Sequence, residues 1–85
     1  MNMVETELEI SPDARFYVDR MTNLFFLRDH LERHPNAYEE VPVRVLREGI
    51  HRGIFGSYLM LHTLGQGVLA DSMVMFDRMV HNKVA

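Results

Sequence analysis

His30 and His34 stand four residues apart with Glu32 between them. On one helical face that spacing lets two imidazoles share a metal ion. A protein metal site takes at least a third side-chain ligand, and His51, His62 and His81 are the only other histidines. The plainer reading is a pair of solvated side chains near a helix C-terminus, where the helix dipole favours a cation. No cofactor or bound metal is expected on that reading, and the pair stays a weak metal candidate. A second cluster is basic: Arg44, Arg47, His51 and Arg52, with Glu48 among them. Two readings stand side by side here. Near a helix N-terminus the cluster can hold phosphate or nucleic acid. Equally, it is a solvated face carrying Arg44–Glu48 and Glu48–Arg52 pairs.

Nucleophilic chemistry finds no support. The chain has no cysteine. Ser11 reads as a helix cap, and Ser57 and Ser72 fall inside apolar helical stretches. Neither a G-x-S-x-G elbow, nor a phosphate loop, nor a dinucleotide glycine pattern occurs. Gly65-Gln66-Gly67 is too short to cradle a phosphate. The expectation is a protein that is not an enzyme.

The elements that position these residues follow from periodicity. Val4 to Ile10 alternates apolar and polar, so Val4, Thr6, Leu8 and Ile10 share one face of a strand over 4–10 while Glu5, Glu7 and Glu9 share the other. Ser11-Pro12-Asp13 starts a helix: a hydroxyl cap, a proline where an N–H is not needed, and an acid at the positive end. That helix runs over 12–34, stopped by Pro35-Asn36. Its inward stripe is Ala14, Tyr17, Met21, Leu24 and Leu31, widened by Val18, Phe25 and Leu27. Arg15–Asp19 and Asp29–Arg33 are i,i+4 pairs on its outer side. A second helix, over 42–64, follows Val43, Leu46, Ile50, Ile54, Tyr58 and Leu61. Gly49, Gly53 and Gly56 fall together on another side of it, which marks either close approach of another backbone or a kink. After Gly65-Gln66-Gly67 a third helix covers 68–81, with Leu69, Met73, Phe76 and Val80 in one stripe, Val68, Met75 and Met79 broadening it, and Asp71, Asp77 and Arg78 outside.

Composition sets the frame. Eighty-five residues, 47% of them apolar, allow one domain over 1–85 with a core too small to be comfortable alone. Self-association is the simplest way to cover the apolar excess. Twelve acids against nine bases leave a net charge of −3, unlike a generic nucleic-acid binder. The first thirteen residues hold four acids and no base, so the rest of the chain is at +1, and eight of its nine bases are arginine. Gly53 to Ala70 lacks any charge but holds four glycines, Ser57, His62, Thr63 and Gln66. It therefore reads as a buried helix, a turn and a new helix rather than a membrane span. With no basic leader at the start, a cytoplasmic protein away from the membrane is expected.

Two segments carry a resemblance. Thr6-Glu-Leu-Glu-Ile-Ser-Pro-Asp-Ala-Arg-Phe16, a strand running into a Ser-Pro capped helix, resembles the start of a ribbon-helix-helix protein. Val45-Leu-Arg-Glu-Gly-Ile-His-Arg-Gly-Ile54 is similar to the second helix of ParD-type antitoxins in that family. Together they cover about half of the chain. The resemblance implies an intertwined homodimer whose two N-terminal strands pair, with an antitoxin-like or repressor-like role and an extra apolar helix after Phe55 to hold a toxin. In that family the outward ribbon positions read DNA. Here they are Glu5, Glu7 and Glu9, which oppose the phosphate attraction that supplies non-specific affinity.

The expected fold is therefore mostly α: one N-terminal strand, then three helices, in an intertwined homodimer. The expected function is that of a small non-catalytic regulator that binds a macromolecular partner, a protein before DNA. Met73, Phe76, Met79, Gly49 and Gly53 are the expected contact residues, through a helix-in-groove mode. The alternative is a phage-type small inhibitor or sponge that blocks a host protein or sequesters a nucleotide on the Arg44–Arg52 cluster.

Overall fold

A computed structural model of the chain describes residues 10–37 and 40–84. It is built of three helices: α1 (Pro12–Arg33), α2 (Val43–Thr63) and α3 (Gly67–Val84). The expected strand over 4–10 lies outside the described residues except for Ile10, which is not in a strand and packs its half-buried side chain against the core. Glu5, Glu7 and Glu9 lie outside them as well.

The local signals act as their chemistry requires. The Ser11 hydroxyl accepts the Ala14 N–H at 3.2 Å, with Pro12 opening α1. Pro42 precedes α2 without a side-chain cap. α2 closes in a Schellman turn: the Gln66 N–H donates to the Leu61 carbonyl at 2.7 Å and the Gly65 N–H to that of His62 at 3.1 Å. Gly65 takes a φ of +80°, which an L side chain rarely adopts. This turn lets α3 fold straight back along α2.

α2 lies between its neighbours and packs against both. Leu24 of α1 meets Gly53 of α2, and Ala14 shares a cluster with Leu61, so α1 and α2 run antiparallel. Tyr58 and His62 meet Asp71, so α3 is antiparallel to α2 and parallel to α1. Ala14, Met21, Leu61 and Ala70 form the buried centre, where one residue of α2 and one small residue of α3 close on α1. Leu31 and Ile50 are buried as well. The molecule is elongated, 51 × 27 × 19 Å.

Three sequence expectations need correction. α2 is helical throughout Gly49, Gly53 and Gly56, so the chain does not break there, and what approaches is a side chain rather than a backbone. Only Gly53 is closely approached: a Cβ there would lie 2.7 Å from the Leu24 Cδ1, whereas Gly49 and Gly56 have nothing within 4 Å. In α1, Leu27 is exposed rather than part of the inward stripe. In α3 the inward side is Ala70, Met73, Val74 and Asp77, with Phe76 and Val80 left exposed. The helix is thus rotated by roughly a quarter turn from the expected stripe, at 100° per residue. Apolar residues surround α3 almost completely, so periodicity alone does not choose its buried side.

Candidate functional site

Two polar clusters tie α3 to the rest of the fold, and each is built from an acid on or near the inward side of a helix. In the first, Arg28 of α1 reaches Asp77 of α3 with two hydrogen bonds, Nη1 to Oδ2 at 2.9 Å and Nη2 to Oδ1 at 2.7 Å. Nε and Nη2 also donate to Asp29 Oδ1 at 3.1 and 3.0 Å. Arg28 and Asp77 are largely buried, their side chains 14% and 16% exposed. The guanidinium lies over the Phe25 ring at 5.3 Å. His81 completes the cluster. Its Nδ1 donates to the Asp77 carbonyl at 2.7 Å, and its Nε2 stands 3.0 Å from Asp29 Oδ1 and 3.1 Å from Arg28 Nη2. Protonated, Nε2 donates to Asp29; neutral, it accepts from Arg28.

One guanidinium between two carboxylates leaves a net negative charge that a protonated His81 cancels. Its pKa is raised, first by the Asp77 carbonyl and then by Asp29. At Asp29, burial pushes the carboxyl up, but the hydrogen bonds from His81 and Arg28 outweigh it and the pKa is lowered. Arg28 is held protonated, chiefly by Asp77. The linkage signs follow. His81 stabilises the fold fully below the ordinary histidine pKa of about 6.5, and that contribution fades as pH rises through its higher folded value. Asp29 stabilises above its ordinary value of about 3.9 and loses that contribution on acidification. Thermal melts followed by circular dichroism are expected to peak on the weakly acidic side and to fall as the pH rises above the ordinary histidine value. His81→Gln should flatten that upper limb and also weaken the acid limb, because His81 supplies the larger of the two hydrogen bonds that lower the Asp29 pKa.

In the second cluster, the Tyr58 hydroxyl donates to Asp71 Oδ1 at 2.5 Å, and His62 Nε2 is 3.2 Å from the same oxygen. The hydrogen bond to Asp71 raises the Tyr58 pKa, and the bonds from Tyr58 and His62 lower that of Asp71. A phenol pushed further from ionisation is a poorer nucleophile. The serine and threonine hydroxyls at Thr22, Ser57, Thr63 and Ser72 each donate to the carbonyl four residues back. No hydroxyl among them is directed at a histidine.

Beside each cluster opens an apolar groove. Between α1 and α3 a space of about 370 Å³ is lined by Phe25, Phe26, Met73, Phe76 and Val80, with Asp29, Asp77 and His81 at its edge. Between α2 and α3 a second, of about 650 Å³, is lined by Ile54, Phe55, Val74 and Met75, with Asp71 and Arg78 beside them. A third lies along α1 and α2, where Phe16, Met60 and Gly56 are flanked by Arg20 and Arg52.

The residues singled out from sequence are distributed as follows. Phe76 and Met79 are exposed on α3, while Met73 packs against the core. Gly49 is open and Gly53 is occupied by Leu24. Arg44, Arg47, His51 and Arg52 are all exposed, and Arg44 stands 3.8 Å from Glu48 with both side chains well solvated. Such a pair contributes little. The His30 and His34 rings lie 4.8 Å apart, but no group of three or more candidate metal ligands occurs among the described residues. His62 and His81, two of the candidate third ligands, engage Asp71 and Asp29 instead. Asp29 pairs with Arg28 and His81, not with the expected Arg33.

Sequence reasoning missed Arg28 and Asp77. The signal was present: Arg28 lies seven residues after Met21 and Asp77 seven after Ala70, so both occupy inward positions. Two opposite charges at core-facing positions of different helices are a pairing signal.

No protein-family model matches the chain, and no curated protein or solved structure is similar to it. No helix among the described residues is long and apolar enough to cross a membrane.

Proposed function

We propose that this protein is a small non-catalytic regulator that works as a homodimer by binding a macromolecule, in the manner of an antitoxin or repressor, with a protein as the first partner. One observation carries the reading. Among the described residues fourteen large apolar side chains are exposed, while only six apolar residues are buried. Phe16, Phe26, Phe55 and Phe76 are each more than half exposed. Exposed apolar side chains grouped along grooves mark interaction surfaces, and aromatic side chains are enriched in protein interfaces. The hydroxyls bonded to their own helices and the histidines engaged by carboxylates support a binding role over a catalytic one.

The face shared by α1 and α2 suits a macromolecular partner. Phe16 and Met60 supply apolar anchors, Gly56 leaves room for a backbone, and Arg20 and Arg52 offer charge at the margin. Tagged full-length chain, expressed in its own cells, is expected to retain one protein in stoichiometric amount. Phe16→Asp should lower that retention at least about tenfold while its helical circular dichroism stays unchanged. A gel shift with DNA at two salt concentrations is the counter-test. Salt-sensitive DNA binding without a retained protein would replace the protein reading with a repressor, and the absence of both would overturn the proposal.

A further inference from the structure

The outer face of α3 is apolar and bears no charge along its centre. Val68, Ser72, Met75 and Met79 fall at spacings of four, three and four, all of them exposed and opposite the side that packs on the core. This is the seam spacing of a coiled coil. Phe76 lies on one shoulder of the seam, beside Phe26 across the α1–α3 groove. Asp71 and Arg78 lie together on the other shoulder, near Phe55 in the α2–α3 groove. These two charges are opposite in sign and seven residues apart, placed evenly about Val74–Met75.

We propose that this face seats the α3 helix of a second copy of the chain, laid antiparallel across a two-fold axis at Val74–Met75. The proposal rests on the homodimer reading above and names its contact. Charge selects the occupant. Antiparallel pairing brings Asp71 of each copy beside Arg78 of the other, twice over, as an isologous interface demands. Parallel pairing would put this shoulder on opposite sides of the seam in the two copies and leave the charges facing the apolar Phe76 shoulder. Asp71 keeps half of its side chain exposed even while bonded to Tyr58 and His62, so a second donor can reach it. Area agrees with charge. At roughly 150–250 Å² for a whole aromatic side chain, the exposed parts of Phe26, Phe55, Val68, Met75, Phe76 and Met79 come to on the order of 700 Å² per copy. A standard specific interface takes about 800 Å² from each partner. The α1–α2 face is left free for the macromolecule.

The chain has no cysteine, so one introduced thiol reports orientation without ambiguity. With the full chain under mild oxidation, Met75→Cys is expected to link to itself across the axis. Met79→Cys should not, because the two copies of that position stand about 13 Å apart along the helices at 1.5 Å per residue. Light scattering after gel filtration should give a two-chain mass for the native protein. Met75→Glu with Met79→Glu should raise the dimer dissociation constant at least about a hundredfold with helicity retained. Arg78→Asp should raise it about tenfold, and an equimolar mixture with Asp71→Arg should restore pairing as a heterodimer. Linking through both cysteine variants would mean a parallel pair and overturn the proposal. A two-chain mass that survives the double glutamate variant, with neither cysteine linking, would place the second copy elsewhere: this proposal falls and the homodimer stands. A one-chain mass at micromolar concentration would remove both.

Discussion

Arg28→Met is expected to lower the unfolding free energy by about 2–3 kcal/mol at neutral pH, below the 3–5 of a fully buried pair because these side chains keep some exposure. For a chain of this size that is roughly 10–20 °C in melting temperature. The loss comes less from the attraction removed than from what remains. Asp77, 16% exposed, receives both of its bidentate hydrogen bonds from this guanidinium. Deprived of it, the carboxylate is left in a poorly solvated place without its bidentate partner, which costs stability. Arg28→Lys should fall between, since an ammonium keeps the charge but not the fork. The decisive comparison is Arg28→Met with Asp77→Leu. If the ion pair mainly selects how α3 sits on α1, the double variant should regain most of the lost stability, because two apolar groups of similar volume bury without desolvating a charge. Urea melts of the four proteins give the coupling directly.

That pair also shows where the sequence was legible and where it was not. The Ser11-Pro12 start and the glycine turn at 65 are local devices, set by atoms within five residues of one another, and both are plain in the sequence. The inward positions of α1 and α2 were legible from their spacing: Ala14, Met21 and Leu31 in the first, Ile50 and Leu61 in the second, are buried, although Phe16, Phe26 and Phe55 are exposed on the same helices. Long-range pairing is not a local device. Asp29 had a nearby candidate at Arg33, yet it binds Arg28 and His81, a residue fifty-two positions away. α3 was readable as a helix but not in its orientation. Val68, Leu69, Met73, Val74, Met75, Phe76, Met79 and Val80 nearly encircle it. What turns it inward is the small Ala70, buried against Met21 and Leu61, together with the pull of Arg28 on Asp77. The same encirclement that hid the orientation leaves Met75 and Met79 on the outside, where the proposed contact with a second copy would cover them.

Leu61→Ala is expected to cost about 3 kcal/mol, within the range for emptying a fully buried leucine site. Leu61 is 0% exposed and shares its cluster with Ala14 and Met21 of α1 and Ala70 of α3, so one truncation loosens all three helices where they converge. With so few buried apolar residues there is little surrounding mass to collapse into the space, and small domains have only about 5 kcal/mol in hand. Leu59→Ala, two residues earlier and 47% exposed, should stay within about 0.5 kcal/mol. The pair of variants also probes the covered face of α3. A second copy that binds only the folded chain stabilises it by mass action, and a hundredfold rise in protein concentration returns about 2.7 kcal/mol per dimer. Leu61→Ala should therefore keep only about 2 kcal/mol when dilute, and its melting midpoint should rise with concentration. Adding Met75→Glu and Met79→Glu should abolish that dependence, because a chain with no seat for its twin has nothing for concentration to act on.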